Sequence, residues 1–143
     1  MKNTINLTTD AVIFAKHNKS IYVLLIQRKN EPYQHKWAFP GGFVDQNEKV
    51  IKACQRELKE ETSLHLDIHQ FDFLDFFDAI HRDPRNRTIS FAYTCLLNSL
   101  QDVKGGDDAA SAKWIKMDDV NTNELAFDLA EILIAAKKHF LIS

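Results

Sequence analysis

A chain of 143 residues with 45% hydrophobic and 27% charged side chains suits one globular unit, so residues 1–143 are expected to form a single domain; disorder, coiled coil and fibrous repeat are excluded. Eighteen basic against twenty acidic side chains leave a net charge of −2. No global positive field draws in nucleic acid or an anionic membrane, neither is an expected partner, and any anionic ligand must be held locally.

The first ten residues are polar and lack the apolar core of a signal peptide, and no later apolar run approaches the roughly 18 residues a span requires, so a cytoplasmic location is expected. Residues 11–15 and 21–26 are short runs rich in Val, Ile and Tyr. They read as paired central strands joined by a turn over residues 16–20. Residues 28–40 are polar and carry Pro32, and they lead to Gly41-Gly42, where the backbone can adopt conformations closed to other residues.

From about residue 49 to 62 there is no Gly or Pro, and Val50, Ile51, Cys54 and Leu58 recur at helical spacing, which predicts an amphipathic helix. Leu64, Leu66 and Ile68 alternate with polar residues, residues 71–77 are aromatic-rich, and Ile89, Phe91, Tyr93, Cys95 and Leu97 fall on one face of a further strand. These segments are expected to continue the sheet. Residues 78–87, with Pro84 and three arginines, should form an exposed loop between strands, and Gly105-Gly106-Asp107-Asp108 another.

A short strand is expected at residues 112–115. A closing helix follows, with Leu125, Leu129, Ile132, Leu133, Ala136 and Phe140 inward and Thr122 or Asn123 as N-cap. The fold class is α/β of the α+β type, a mixed sheet between two main helices. Cys54 and Cys95 lie in apolar patterns and read as inert buried thiols. The six histidines lack metal-ligand spacing, and Trp37 and Trp114 read as packing residues.

Chemistry concentrates between Gly42 and Leu64. At about 100° per residue, Glu57 at 0° places Glu61 near 40° and Glu60 near 300°, so the three carboxylates share one side of the helix. Like charges so spaced repel, and a hard divalent cation is a natural counter-charge, since magnesium combines one or two carboxylates with substrate phosphate oxygens. The plain alternative is a solvated acidic patch.

The context resembles the Nudix box, a pattern of Gly, five residues, Glu, seven residues, Arg-Glu, an apolar residue, any residue, Glu-Glu, any residue, Gly and an apolar residue. Gly42, Glu48, Arg56, Glu57, Leu58, Glu60, Glu61 and Leu64 match it, and Ser63 stands where the final Gly is expected. That departure falls where Gly relieves left-handed backbone strain, so it bears on how the helix ends more than on metal binding.

The resemblance implies a Nudix fold with the mixed sheet sandwiched between helices, hydrolysis of a pyrophosphate bond, and dependence on Mg2+, with Mn2+ as an alternative. It implies Glu57, Glu60 and Glu61 as metal ligands and catalytic residues, a further ligand from the Gly42 carbonyl, and Arg56 with Glu48 orienting the carboxylates. Water activated by a carboxylate would attack phosphorus while the ions neutralise charge on the bridging and leaving oxygens. Asp107 or Asp108 is a candidate further ligand or base, or a simple turn residue.

Outside the box, Trp37-Ala-Phe-Pro-Gly-Gly-Phe-Val, the loop from His81 to Ser90, Gly106-Asp-Asp-Ala and Leu125-Ala-Phe-Asp resemble the Nudix branch linked to ADP-ribose. This implies AMP and ribose 5-phosphate as products, Arg28, Arg82 and Arg85 as phosphate or ribose contacts, Phe43 or Tyr33 as the adenine-stacking ring, and a homodimer. Arginine suits this role because its planar fork clasps phosphate oxygens in pairs. Two rivals stand beside that reading: a nucleoside-triphosphate pyrophosphohydrolase, and a non-catalytic ADP-ribose-binding sensor, against which the intact box carboxylates argue.

Overall fold

The computed structural model describes residues 4–106 and 109–143, with the backbone alone at 109 and 110. The run 11–15 has no polar face because β1 (Asn6–His17) is covered on both sides. Ala11, Ile13 and Ala15 enter a core with Cys54 and Leu58 of α1 (Val50–Thr62). Val12 and Phe14 enter a second core with Leu129, Ile132 and Leu133 of α2 (Leu129–His139). The helices thus cover opposite faces of the sheet.

Seven strands appear among the described residues. β2 (Ser20–Arg28) runs antiparallel to β1. The turn is tighter than expected: Lys16 and His17 stay in the ladder, and Asn18 and Lys19 alone reverse the chain with φ of 47° and 64°, as a two-residue hairpin requires. β3 (Trp37–Ala38) and β7 (Ala109–Lys116) pair with β2, β4 (Gly41–Phe43) with β1, and β5 (Asp72–Phe77) with β6 (Thr88–Leu97), all antiparallel. β1 and β6 are parallel, so the sheet is mixed, as the pattern implied.

One irregularity positions the functional site. The β1–β2 ladder stops at Phe14 and Val23, and β4 takes over the same edge of β1 at Thr8–Asp10. Between them the Ala11 N–H donates to the Pro40 carbonyl at 2.8 Å. β1 and β2 therefore part, and a cavity opens where they diverge.

The strand expected around Ile89 to Leu97 is β6, with Ile89, Phe91, Tyr93, Cys95 and Leu97 alternating onto one face; on the other face 88, 90, 92 and 94 are buried too. Three further sequence expectations need correction. Residues 64–67 form no strand; Leu64 and Leu66 are buried, but the chain passes into a 3-10 turn at Ile68–Gln70. The loop 78–87 is not wholly exposed: Arg82 and Asp83 are buried. Thr122 and Asn123 do not cap the closing helix; they lie in a 3-10 turn at Thr122–Glu124, and Asn121 accepts the Asn123 N–H. The helix starts only at Leu129, because Ala126 is tied to the Trp37 carbonyl and Phe127 takes φ 52°.

Both thiols are buried and free, and burial raises that of Cys95 to about 11. All six histidines are exposed, and both tryptophans pack partly buried against the cores. Among the described residues no helix is long and apolar enough to cross a membrane.

α1 ends at Ser63, whose φ of 66° lies in the left-handed region and whose N–H closes on the Lys59 carbonyl. The next orphan carbonyls of this helix end, those of Glu61 and Thr62, are taken by the N–H groups of Gly106 and Lys104, a pairing such ends require. Ser63→Gly should therefore stabilise the protein by about 0.5–1 kcal/mol, the left-handed strain relieved less the added freedom of the unfolded chain. Urea denaturation with an unchanged m-value checks this, and a loss of stability would refute it.

Candidate active site

Helical spacing puts Glu57 and Glu61 one turn apart on the side of α1 that faces β4. The Gly41 N–H donates to Glu61 Oε1 at 2.7 Å. A Cβ on Gly42 would come within 2.7 Å of the Glu57 carboxylate, and one on Gly41 within 1.9 Å of the Thr9 carbonyl oxygen. Space, not a conformation closed to other residues, accounts for glycine here, since no glycine among the described residues has positive φ and both lie in β4.

Arg56 binds the carboxylates together. Its Nε and Nη2 donate to Glu48 at 2.7 and 3.0 Å, Nη1 donates to Glu57 Oε1 at 2.8 Å and to Glu60 Oε2 at 3.3 Å, and Nη2 also donates to the Phe43 carbonyl. Bonding to Glu48 holds the guanidinium well above its ordinary range, and Arg56 in turn holds the Glu48 carboxyl low. Burial pushes the Glu57 carboxyl up, against the pull of Arg56.

Glu57 and Glu61 line a cavity of about 500 Å³ that also takes in Asp10, Arg28, Arg85 and Phe127. Glu60 is half exposed and lies outside that lining, and among the described residues no three His, Cys, Asp or Glu side chains are gathered as a metal-holding group. The expected three-glutamate set is therefore seen as two cavity carboxylates with Glu60 held outside by Arg56. One buried and one half-buried carboxylate, a backbone cradle that a Cβ would fill, and an all-oxygen donor set still fit one hard divalent ion completed by substrate oxygens. Asp107 and Asp108 lie outside the described residues.

The remaining expected contacts divide. Arg28 lines the cavity, and its Nε donates to the Pro32 carbonyl at 2.7 Å; burial and neighbouring Arg85 lower its pKa. Arg85 bonds Asp83 through Nε and Nη2 at 3.0 and 2.8 Å and reaches over the rings of Phe43 and Phe127 at 5.6 and 5.8 Å. Arg82 also lines the cavity but is buried, and its fork grips Asp128 at 2.9 and 2.6 Å at the start of α2. Phe43 is exposed at the cavity, while Tyr33 is set back and packs on Phe127 with ring centroids 4.7 Å apart.

Sequence reasoning missed Asp10, Phe127, Asp83 and Asp128 as site residues. Phe127 lies in the quoted Leu125-Ala-Phe-Asp stretch, and Arg28 stands 5.0 Å from its ring. Asp10 carried a fainter signal, a carboxylate directly before a fully apolar strand. It lines the cavity and accepts a hydrogen bond from Ser90 Oγ. Burial raises its pKa to about 6, partly offset by the Ser90 bond and nearby Arg82 and reinforced by Asp128.

A NUDIX domain family model matches residues 4–136. The chain is 38% identical over 122 residues to an ADP-ribose pyrophosphatase of Methanocaldococcus jannaschii, covering 85% of this chain and 67% of that protein. A MutT/nudix family protein from Enterococcus faecalis superposes with a TM-score of 0.92 at 30% identity, over 99% of this chain and 64% of its own. The NUDIX domain of Shewanella oneidensis NrtR, complexed with ADP ribose, follows at 0.89 and 30%, covering 97% and 90%. The chain thus spans about two thirds of the first two relatives. It belongs to the Nudix family, and its domain is that of a Nudix pyrophosphohydrolase.

The raised carboxyl of Asp10 has a consequence for stability. Folded Asp10 keeps its proton to about pH 6, whereas the ordinary value is 3.8, so the folded state binds more protons in that window and stability falls as pH rises through it. Asp10→Asn should gain on the order of 1–2 kcal/mol relative to the native chain between about pH 4 and about pH 7, allowing for solvent reaching Asp10 through the cavity. Paired urea titrations would show it, and a difference that stays constant with pH would refute it.

Proposed function

We propose that this Nudix domain hydrolyses ADP-ribose to AMP and ribose 5-phosphate with magnesium as the working ion, manganese substituting. The observation that carries this reading is that one cavity joins the carboxylates of Glu57 and Glu61 to three arginines, Arg28, Arg82 and Arg85, and to the phenylalanines Phe39, Phe43 and Phe127. Carboxylates alone would repel a diphosphate; with a divalent ion between them they attract it. The likeness to an ADP-ribose pyrophosphatase of Methanocaldococcus jannaschii and to the Shewanella oneidensis domain complexed with ADP ribose points the same way.

When bound, the ion supplies charge neutralisation on the diphosphate and lowers the pKa of the attacking water. Glu57, Glu61 and the Gly42 carbonyl would hold it. Arg56 fixes the rotamers of Glu57 and Glu60 while Glu48 fixes Arg56, so the carboxylates are oriented before ligand arrives. The Gly41 N–H settles which Glu61 oxygen turns to β4. Arg28 and Arg85 would clasp phosphate oxygens, and Phe43, with Phe127, offers faces for a purine. Arg82, engaged by Asp128, ties the loop 78–87 to α2 and acts on the ligand through that framework.

Glu57→Gln and Glu61→Gln should each lower kcat for AMP release by about a hundredfold or more while the melting temperature shifts little, because each removes charge from the ion site and no core contact. Removing divalent ions with a chelator should abolish AMP release, and added magnesium should restore it. A variant with near-normal kcat would remove that residue from the mechanism. Much faster cleavage of a nucleoside triphosphate would replace the substrate assignment.

A second reading, an ADP-ribose-binding sensor domain, is favoured by the likeness to the NrtR domain. Calorimetric binding of ADP-ribose without AMP release in magnesium would establish it instead.

A further inference from the structure

We propose that Asp10 determines substrate specificity, its carboxylate accepting a hydrogen bond from an uncharged donor group of the ligand, either a sugar hydroxyl or the exocyclic amine of a purine. This rests on the ADP-ribose reading and deepens it by assigning a lining residue that the ion site and the phosphate contacts leave without a role.

Asp10 stands on β1 opposite Gly41 of β4, where β1 and β2 part, and it lines the same cavity as Glu57 and Glu61. Its Oδ2 is taken by Ser90 Oγ. Oδ1 has no protein donor among the described residues, so an acceptor is held in fixed orientation with lone pairs to offer. Arg82, the nearest cation acting on it, spends its fork on Asp128. Asp10, Arg82 and Asp128 together carry a net negative charge when Asp10 is ionised.

That charge sets a polarity. Arg28 forms no ion pair among the described residues and is left to meet a phosphate, whereas ionised Asp10, beside an Arg82 already paired with Asp128, repels one. A neutral hydroxyl or amine is what a hydrogen-bonded carboxylate binds without paying for a second buried charge. The position also argues for a ligand. An apolar residue here would simply extend the buried run 11–15, whereas a carboxylate without a cation of its own lowers stability, as groups kept for function do.

The test compares native protein and Asp10→Asn, which keeps an acceptor for Ser90, by calorimetry with magnesium and by initial rates. The ligands are ADP-ribose, its hypoxanthine analogue lacking the exocyclic amine, and its analogues deoxygenated at one ribose hydroxyl. Asp10→Asn should raise KM and Kd for ADP-ribose about tenfold or more, with kcat falling less than KM rises. It should also erase the native preference over one analogue: over the hypoxanthine form if the amine is the donor, over a deoxy form if a hydroxyl is. A merely structural role would leave these preference ratios intact.

Native protein active on ADP-ribose, with Asp10→Asn keeping both preferences and a KM within twofold, overturns this inference alone. Native protein that neither binds nor cuts ADP-ribose sinks the functional reading and this inference with it. Should Asp10→Asn fail to fold, Ser90→Ala releases the carboxylate from its orientation and is read on the same ratios, with the same two outcomes.

Discussion

The close approach of the β4 backbone to the acidic side of α1 is the constraint on which the rest of the site depends. Carboxylates on an exposed helix face would move freely and repel each other. Here Gly41 donates to Glu61, and Gly42 leaves no room for a side chain beside Glu57. Both carboxylates are thereby confined, partly desolvated and turned to one cavity. β4 can press so close because it pairs with β1 at Thr8–Asp10, in the stretch where β2 has left that edge. The same departure makes the cavity, so the opening and the placement of its acids share one topological cause.

Two arginines of contrasting setting organise the site. Arg56 stands outside the cavity lining and serves four carboxylates at once, with Glu48 as its firm partner. A shared guanidinium of this kind cannot neutralise them all, and the residual negative charge is what would draw a divalent ion. Arg82 is buried and spends its fork on Asp128, fixing the loop 78–87 against the start of α2. Asp83 and Arg85 then follow in set positions, and Arg85 reaches back toward Phe43 and Phe127. Backbone strain gathers at this rim too: Tyr33 and Phe127, whose rings touch, both have positive φ, a combination that persists where surrounding structure holds it.

How much was legible in the chain differs by residue. Gly42, Glu48, Arg56, Glu57 and Glu61 could be read because a single helix, the strand before it and the short loop between them supply them all, and such geometry is local. The left-handed end at Ser63 was readable for the same reason. Arg82 misled: a charged residue in a Pro-containing stretch reads as solvated, and only Asp128, 46 positions away, reverses that. The N-cap expected at Thr122 or Asn123 failed similarly, because a hydrogen bond to Trp37 and the backbone of Phe127 delay the helix.

The sequence by itself determined most of the strands and both helices, the two-sided burial of β1 and the acidic face of α1, since each follows from periodicity. Tertiary structure alone decided that β1 and β2 diverge, that Glu60 stands outside while Glu57 and Glu61 face inward, and that Asp10 and Phe127 join a site assembled around residues 42–61. Those outcomes depend on contacts between segments distant along the chain, whose energies no local pattern encodes.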